Sequence, residues 1–113
     1  MSDCLFCKIA TGEIPVDMVL ETDSAVAFRD IDPQAPTHVL VIPREHFANA
    51  QALSQANPAL AGQVLALATK VAMNEGLENG YRIVTNTGVD GGQSVEHMHL
   101  HVLGGRQLTW PPG

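Results

Sequence analysis

Positive charge is scarce in this chain: six Lys and Arg stand against twelve Asp and Glu in 113 residues, a formal net charge of −6. A surface made for polymeric nucleic acid or an anionic membrane needs a basic patch, so neither partner is expected. A single nucleotide held in a pocket by backbone donors remains compatible. Long apolar runs are also missing. The uncharged stretch from His46 to Thr69 is interrupted by Asn49, Gln51, Ser54, Gln55, Asn57, Pro58 and Gln63, so it cannot span a bilayer. The start, Met1-Ser2-Asp3-Cys4, is not basic and precedes no long apolar region, so a cytoplasmic location is expected. Cysteine is limited to Cys4 and Cys7. In that compartment a C-x-x-C is a reduced pair, a redox motif or half of a zinc site rather than a structural disulfide. The redox reading lacks the βαβ context it requires.

What is present suggests one domain over residues 1–113. Cys4 to Ala10 forms a short helical turn, stopped by Gly12 and Pro15. Val16 to Glu21 and Ala25 to Asp30 look like strands around the Thr22-Asp23-Ser24 turn. Two prolines make Asp30 to Pro36 a loop. Thr37 to Ile42 is β-branched, apolar and ended by Pro43, a strong strand signal. Arg44 to Ala52 is ambiguous. Asn57 as N-cap and Pro58 at the first helical position open a long helix. Its stripe is Leu60, Val64, Leu67 and Val71, and Gly76 follows its end. Tyr81 to Thr87 is a strand, a glycine-rich loop follows, and residues 97–103 form the last strand. Strands grouped on either side of one long helix predict an α+β domain with a mainly antiparallel sheet, one long helix and one short.

Three of the five histidines fall within His97-Met98-His99-Leu100-His101. On a strand, alternation places those imidazoles on one face and Met98, Leu100 and Val102 on the other. Such a face can bind a metal, supply a nucleophile with its supporting bases, or be merely polar. The adjacent Gly91-Gly92-Gln93-Ser94 favours chemistry on an anion. Glycines let backbone approach a phosphate, and Ser94 adds a hydroxyl beside an imidazole, an arrangement suited to phosphoryl or nucleotidyl transfer. A lone strand histidine such as His38 would by itself carry little functional weight.

His97-x-His99-x-His101-Val102-Leu103, preceded by Gly91-Gly92-Gln93-Ser94-Val95, resembles the signature of the histidine triad (HIT) superfamily, and within it the Hint branch of nucleotide-binding proteins. Asp30-Ile31-Asp32-Pro33-Gln34-Ala35-Pro36-Thr37-His38, Tyr81-Arg82-Ile83-Val84 with Asn86, and Gly104-Gly105-Arg106 running into Trp110-Pro111-Pro112-Gly113 extend the likeness over nearly the whole chain. The resemblance implies a HIT-like five-stranded sheet extended across a homodimer. It also implies metal-independent hydrolysis of purine nucleoside 5′-phosphoramidates or adenylate amides through a covalent nucleotidyl-histidine. By position His99 would attack phosphorus, supported by His101 and His38, with Ser94 donating toward the leaving amine. Asn86, Gly92 and Val95 would contact phosphate and Asp30 the ribose. Leu5, Phe6, Ile9, Phe28 and Ile31 would sandwich the purine. The 106–113 tail would carry Trp110 to the partner's active site. Alternatives in the same superfamily are dinucleoside polyphosphate hydrolysis or nucleotidyl transfer. A non-enzymatic nucleotide-binding module is the alternative outside catalysis.

Cys4 and Cys7 are similar to the C-x-x-C of zinc-containing bacterial and galactose-1-phosphate uridylyltransferase-like members of that superfamily. The resemblance completes the metal set with His46 and His97. A Cys2His2 set closes a tetrahedral zinc and leaves no position for water, so such zinc would be structural, with no catalytic cofactor.

Overall fold

The computed structural model describes residues 3–113. Its elements in chain order are α1 (Leu5–Ala10), β1 (Met18–Glu21), β2 (Ala25–Arg29), β3 (Thr37–Pro43), α2 (Ala50–Ala56), α3 (Pro58–Asn74), β4 (Tyr81–Val84) and β5 (Leu100–Gly104). The strands make one five-stranded sheet in the order β1-β2-β3-β5-β4, antiparallel at every pairing. This is the expected α+β architecture. No helix among the described residues is long and apolar enough to cross a membrane.

Each sheet face is covered by a different helix, which explains why every residue of the central strand β3 is buried. Ala25, Ala27, Val39, Val41, Leu100 and Val102 pack on one face against Leu60, Val64, Leu67 and Val71 of α3. The i, i+4, i+7, i+11 stripe is therefore the helix's buried side. On the other face Val26, Phe28, Leu40 and Ile42 meet Phe6 and Ile9 of α1. In the β3–β5 register His38 lies opposite Leu103 and Leu40 opposite His101. His38 and His101 therefore share the α1 face, by the period-two alternation of strands. At the far end of the sheet, Arg29 makes a bidentate pair with Glu75 at 2.9 and 3.0 Å, tying β2 to the end of α3. Each charge shifts the other's pKa, downward for Glu75 and upward for Arg29.

Three expectations need correction. There are two short helices, because α2 forms from the ambiguous stretch. Its N-cap Asn49 accepts the Ala52 amide at 2.9 Å, but only Leu53 is buried, so no apolar stripe announces it. Asn57 then caps α3 by accepting the Leu60 amide at 3.1 Å, as expected.

The strand read from His97 begins only at Leu100. Its partner β3 ends in Pro43, which has no N–H for the ladder. The preceding chain makes other bonds instead: the Met98 amide donates to the Phe47 carbonyl at 2.7 Å. The strand expected over Tyr81–Thr87 stops at Val84. Beyond it, the Thr85 hydroxyl donates to the His99 carbonyl at 2.8 Å, a side-chain bond where the ladder has ended.

Candidate functional site

The histidines are best understood through which nitrogen is already engaged. A carbonyl can only accept, so a ring nitrogen bonded to one must carry the proton. His99 Nδ1 lies 2.8 Å from the His97 carbonyl. Its proton is therefore on Nδ1, and the Nε2 lone pair is free. Phe6 packs edge-on against this ring with centroids 5.1 Å apart, which restricts its rotation. His99 is 5% exposed.

The second network reads the same way from its far end. The Gln34 amide donates to His38 Nδ1 at 3.0 Å, so that nitrogen holds a lone pair and the proton sits on Nε2. His38 Nε2 lies 2.9 Å from His101 Nδ1 and donates to it. His101 then carries its own proton on Nε2. Its ring stands 5.0 Å from that of His99. Burial, with the neighbouring His99 and His38, pushes the His101 pKa down to about 4. Burial also lowers that of His38, against the pull of Asp30 and Asp32. Both rings are neutral near pH 7, as this hydrogen-bond chain requires. Asp30 reaches toward the pair, its Oδ2 lying 3.5 Å from His38 Nε2, while its Oδ1 accepts the Asp32 amide at 2.8 Å.

The loop before the triad is stiffened by its own polar groups. Asn86 Nδ2 donates to the Gly91 carbonyl at 2.7 Å. Gln93 accepts from the Gly88 amide and donates to the carbonyls of Ala48 and Val95. A Cβ at Gly91 would collide with the Thr87 carbonyl, and Gly92 has φ +76°, so glycine is required at both. Ser94 is exposed and Val95 half-buried.

The apolar residues expected around a purine divide. Phe6, Ile9 and Phe28 are packed into the α1-side core, whereas Leu5 and Ile31 are exposed. Trp110 is 85% exposed. Its tail is attached through Arg82, whose guanidinium donates to the Thr109 carbonyl.

A third cluster lies on the other side of His99. His97 is fully buried and its Nε2 lies 2.9 Å from the Pro43 carbonyl, so the Nδ1 lone pair is free. That nitrogen is 3.4 Å from Cys4 Sγ, 3.5 Å from Cys7 Sγ and 3.1 Å from His46 Nδ1. Cys7 Sγ is 3.4 Å from His46 Nδ1. The four donor atoms lie within 4.8 Å of one another. A tetrahedral zinc with ordinary N and S bond lengths separates its ligand atoms by about 3.3–3.8 Å, so the donors fit this ion in type, number and spacing. Burial and the nearby Cys4 raise the Cys7 pKa, a cost that a bound cation would reverse.

Asp30, His38 and His101 also crowd within ligand range. Their order differs, because His38 spends its proton on the lone pair of His101. That set is satisfied without an ion. Gln34, Thr85 and Gln93 were not identified from the sequence as site residues. Gln34 acts through its backbone N–H, which leaves no residue-type signal.

Residues 11–108 match the family model described as the HIT domain. A HIT family hydrolase from Legionella pneumophila Philadelphia 1 superposes with a TM-score of 0.93 and 54% identity, over 98% of this chain and all of that one. A 14 kDa zinc-binding protein of Zea mays is 47% identical over 114 residues, covering 99% of this chain and 89% of that protein. A histidine triad nucleotide-binding protein from Candida albicans superposes with a TM-score of 0.82 and 31% identity, over 96% of this chain and 83% of that one. A family match across most of the chain, joined to this sheet and its clustered histidines, makes the protein a member of the HIT domain family.

Proposed function

We propose that this protein is a hydrolase of purine nucleoside 5′-phosphoramidates and adenylate amides, acting through a nucleotidyl group on His99. The observation that carries the reading is the bond from His99 Nδ1–H to the His97 carbonyl. It leaves Nε2 as an unprotonated nucleophile on a ring that cannot readily turn. In the first step a bond forms from His99 Nε2 to the α-phosphorus as the P–N bond to the amine breaks. The Ser94 hydroxyl passes a proton to the departing amine as it takes one from solvent, so the serine stays neutral. Water then attacks phosphorus, the bond to His99 breaks, nucleoside monophosphate departs, and the proton of that water returns to solvent. His101, oriented by His38, presents Nε2–H to the phosphoryl oxygens, where charge accumulates.

Asn86, Gly92 and the Val95 amide would hold the phosphate, and Asp30 the ribose hydroxyls. Leu5, Phe6, Ile9, Phe28 and Ile31 would form the purine slot. Two copies would pair, with the 106–113 tail carrying Trp110 to the partner's site. Cys4, Cys7, His46 and His97 would hold zinc; four protein ligands leave the ion no open position, so it braces α1 against the start of the triad and takes part in no step. The relatives described as a hydrolase, a zinc-binding protein and a nucleotide-binding protein support these assignments at that level.

The test compares an adenosine phosphoramidate with a diadenosine polyphosphate. Release of AMP from the phosphoramidate is expected, and His99→Ala should lower it by about a thousandfold or more while AMP still binds. Preferred cleavage of the polyphosphate would replace the substrate class. Undiminished turnover in His99→Ala would refute the mechanism. No AMP release by catalytic amounts of protein would leave only a binding module.

A further inference from the structure

Gln93 stands immediately before Ser94, and its side chain is bonded entirely to backbone. Its Oε1 accepts the Gly88 amide at 3.0 Å, and its Nε2 donates to the carbonyls of Ala48 at 2.6 Å and Val95 at 2.9 Å. One N–H and two carbonyls surround the amide group, so it has a single workable orientation. The Gln93 backbone N–H adds a further bond, to the Gly88 carbonyl at 3.1 Å.

These bonds act over different spans. The two with Gly88 close the glycine turn on itself. The bond to Val95 reaches over Ser94 and makes residues 93–95 an arch with Ser94 at its crest. The bond to Ala48 fixes that arch to the chain leaving β3. The same stretch holds the triad, since the Phe47 carbonyl accepts the Met98 amide at 2.7 Å. Its neighbour His46 belongs to the Cys4–Cys7–His97 cluster. Consecutive residues 46, 47 and 48 therefore anchor the donor cluster, the triad and the arch. Ser94 itself is exposed, and no hydrogen bond among the described residues holds its hydroxyl. The backbone on either side decides where that hydroxyl points.

We propose that Gln93 is the positioning residue of the leaving-group step, holding Ser94 where its hydroxyl meets the departing nitrogen. The inference rests on the proposed hydrolysis. As His99 Nε2 bonds to phosphorus and the P–N bond breaks, the nitrogen takes the Ser94 proton and the serine regains one from solvent. An alkylamine does not depart as an anion, so its release depends on that transfer. A nitrophenolate departs as the anion and gains little from the serine.

The test measures single-turnover release of the leaving group from two substrates, an adenosine phosphoramidate of an alkylamine and the nitrophenyl ester of AMP. Both would place the same adenylyl group on His99, so they differ only in what departs. Gln93→Met should slow amine release about a hundredfold and nitrophenolate release less than about fivefold. Added to Ser94→Ala, it should slow amine release by no more than about threefold further, because both residues act on one proton. Gln93→Glu keeps only the acceptor for the Gly88 amide and should match Gln93→Met. If circular dichroism shows that one of them does not fold, the other carries the comparison. Equal slowing of both substrates would overturn the assignment to the leaving group. Losses that multiply in the double variant would overturn it too. Wild-type protein that releases neither leaving group would overturn the proposed hydrolysis and this inference with it, an outcome distinct from the other two.

Discussion

The two histidine networks on either side of His99 use the same residue type for opposite ends. In the Cys4–Cys7–His46–His97 cluster, sulfur and nitrogen donors converge on one space, with His97 Nδ1 left unprotonated by its bond to Pro43. In the Gln34–His38–His101 chain, donor and acceptor alternate, so each lone pair meets a proton. The first set has the donors that a cation would complete; the second is complete as it stands. Proximity alone does not separate them, since both groups fall within ligand distance. The partner of the other ring nitrogen does, because it decides which atom keeps its lone pair.

The largest effect expected from this contrast is loss of the metal. Zinc at a hundredfold excess over its Kd would stabilise the fold by about 2.7 kcal/mol, roughly 10 °C or more in Tm for a domain of this size. Protein purified without added metal should contain about one zinc per chain by elemental analysis. Chelation or Cys4→Ser should remove it and lower Tm by that order. A protein that never holds zinc, or that loses it without a change in Tm, breaks the first half of the comparison.

A smaller effect is expected from His38→Ala. It leaves the Gln34 amide and His101 Nδ1 without their partner, at a cost of about 1–3 kcal/mol by thermal unfolding. Turnover should fall about a hundredfold through misorientation of His101, while zinc content stays unchanged. Loss of zinc in this variant would show that the two networks are not separate.

The smallest effect is a gradual one with pH. His101 titrates at about 4 in the fold against 6.5 as an ordinary histidine, and His38 is shifted the same way. Between those values the unfolded chain binds the proton and the folded one does not. Stability from this pair is therefore complete above pH 6.5 and is lost as pH falls toward 4. Urea unfolding of metal-free Cys4→Ser protein across that window should show the slope, and it should be shallower when His38→Ala is added. Stability that rises on acidification would contradict the neutral assignment of both rings.

Legibility in the sequence followed how local each cause is. The long helix could be read because Asn57-Pro58 marks its start and Leu60, Val64, Leu67 and Val71 share its buried side. The shorter α2 could not, since its single buried residue, Leu53, makes no pattern. The period-two rule grouped His99 and His101, yet it extended the strand too far, because the ladder's end depends on Pro43, distant in sequence at the end of β3. Cys4, Cys7, His46 and His97 were brought together by family resemblance, and the fold places their donor atoms in one cluster. Periodicity and composition alone left His97 equivalent to its neighbours. The Gln34 amide and the Pro43 carbonyl, which fix two tautomers, are backbone groups with no signature of residue type.

The central claim is that the free Nε2 of His99 forms a bond to phosphorus. Its most direct test is mass spectrometry of protein quenched in alkali during turnover of an adenosine phosphoramidate, followed by peptide mapping. One adenylyl group on His99, absent from His99→Ala, is the predicted result. Adenylylation of another residue, or steady turnover with no adduct at any quench time, would contradict it.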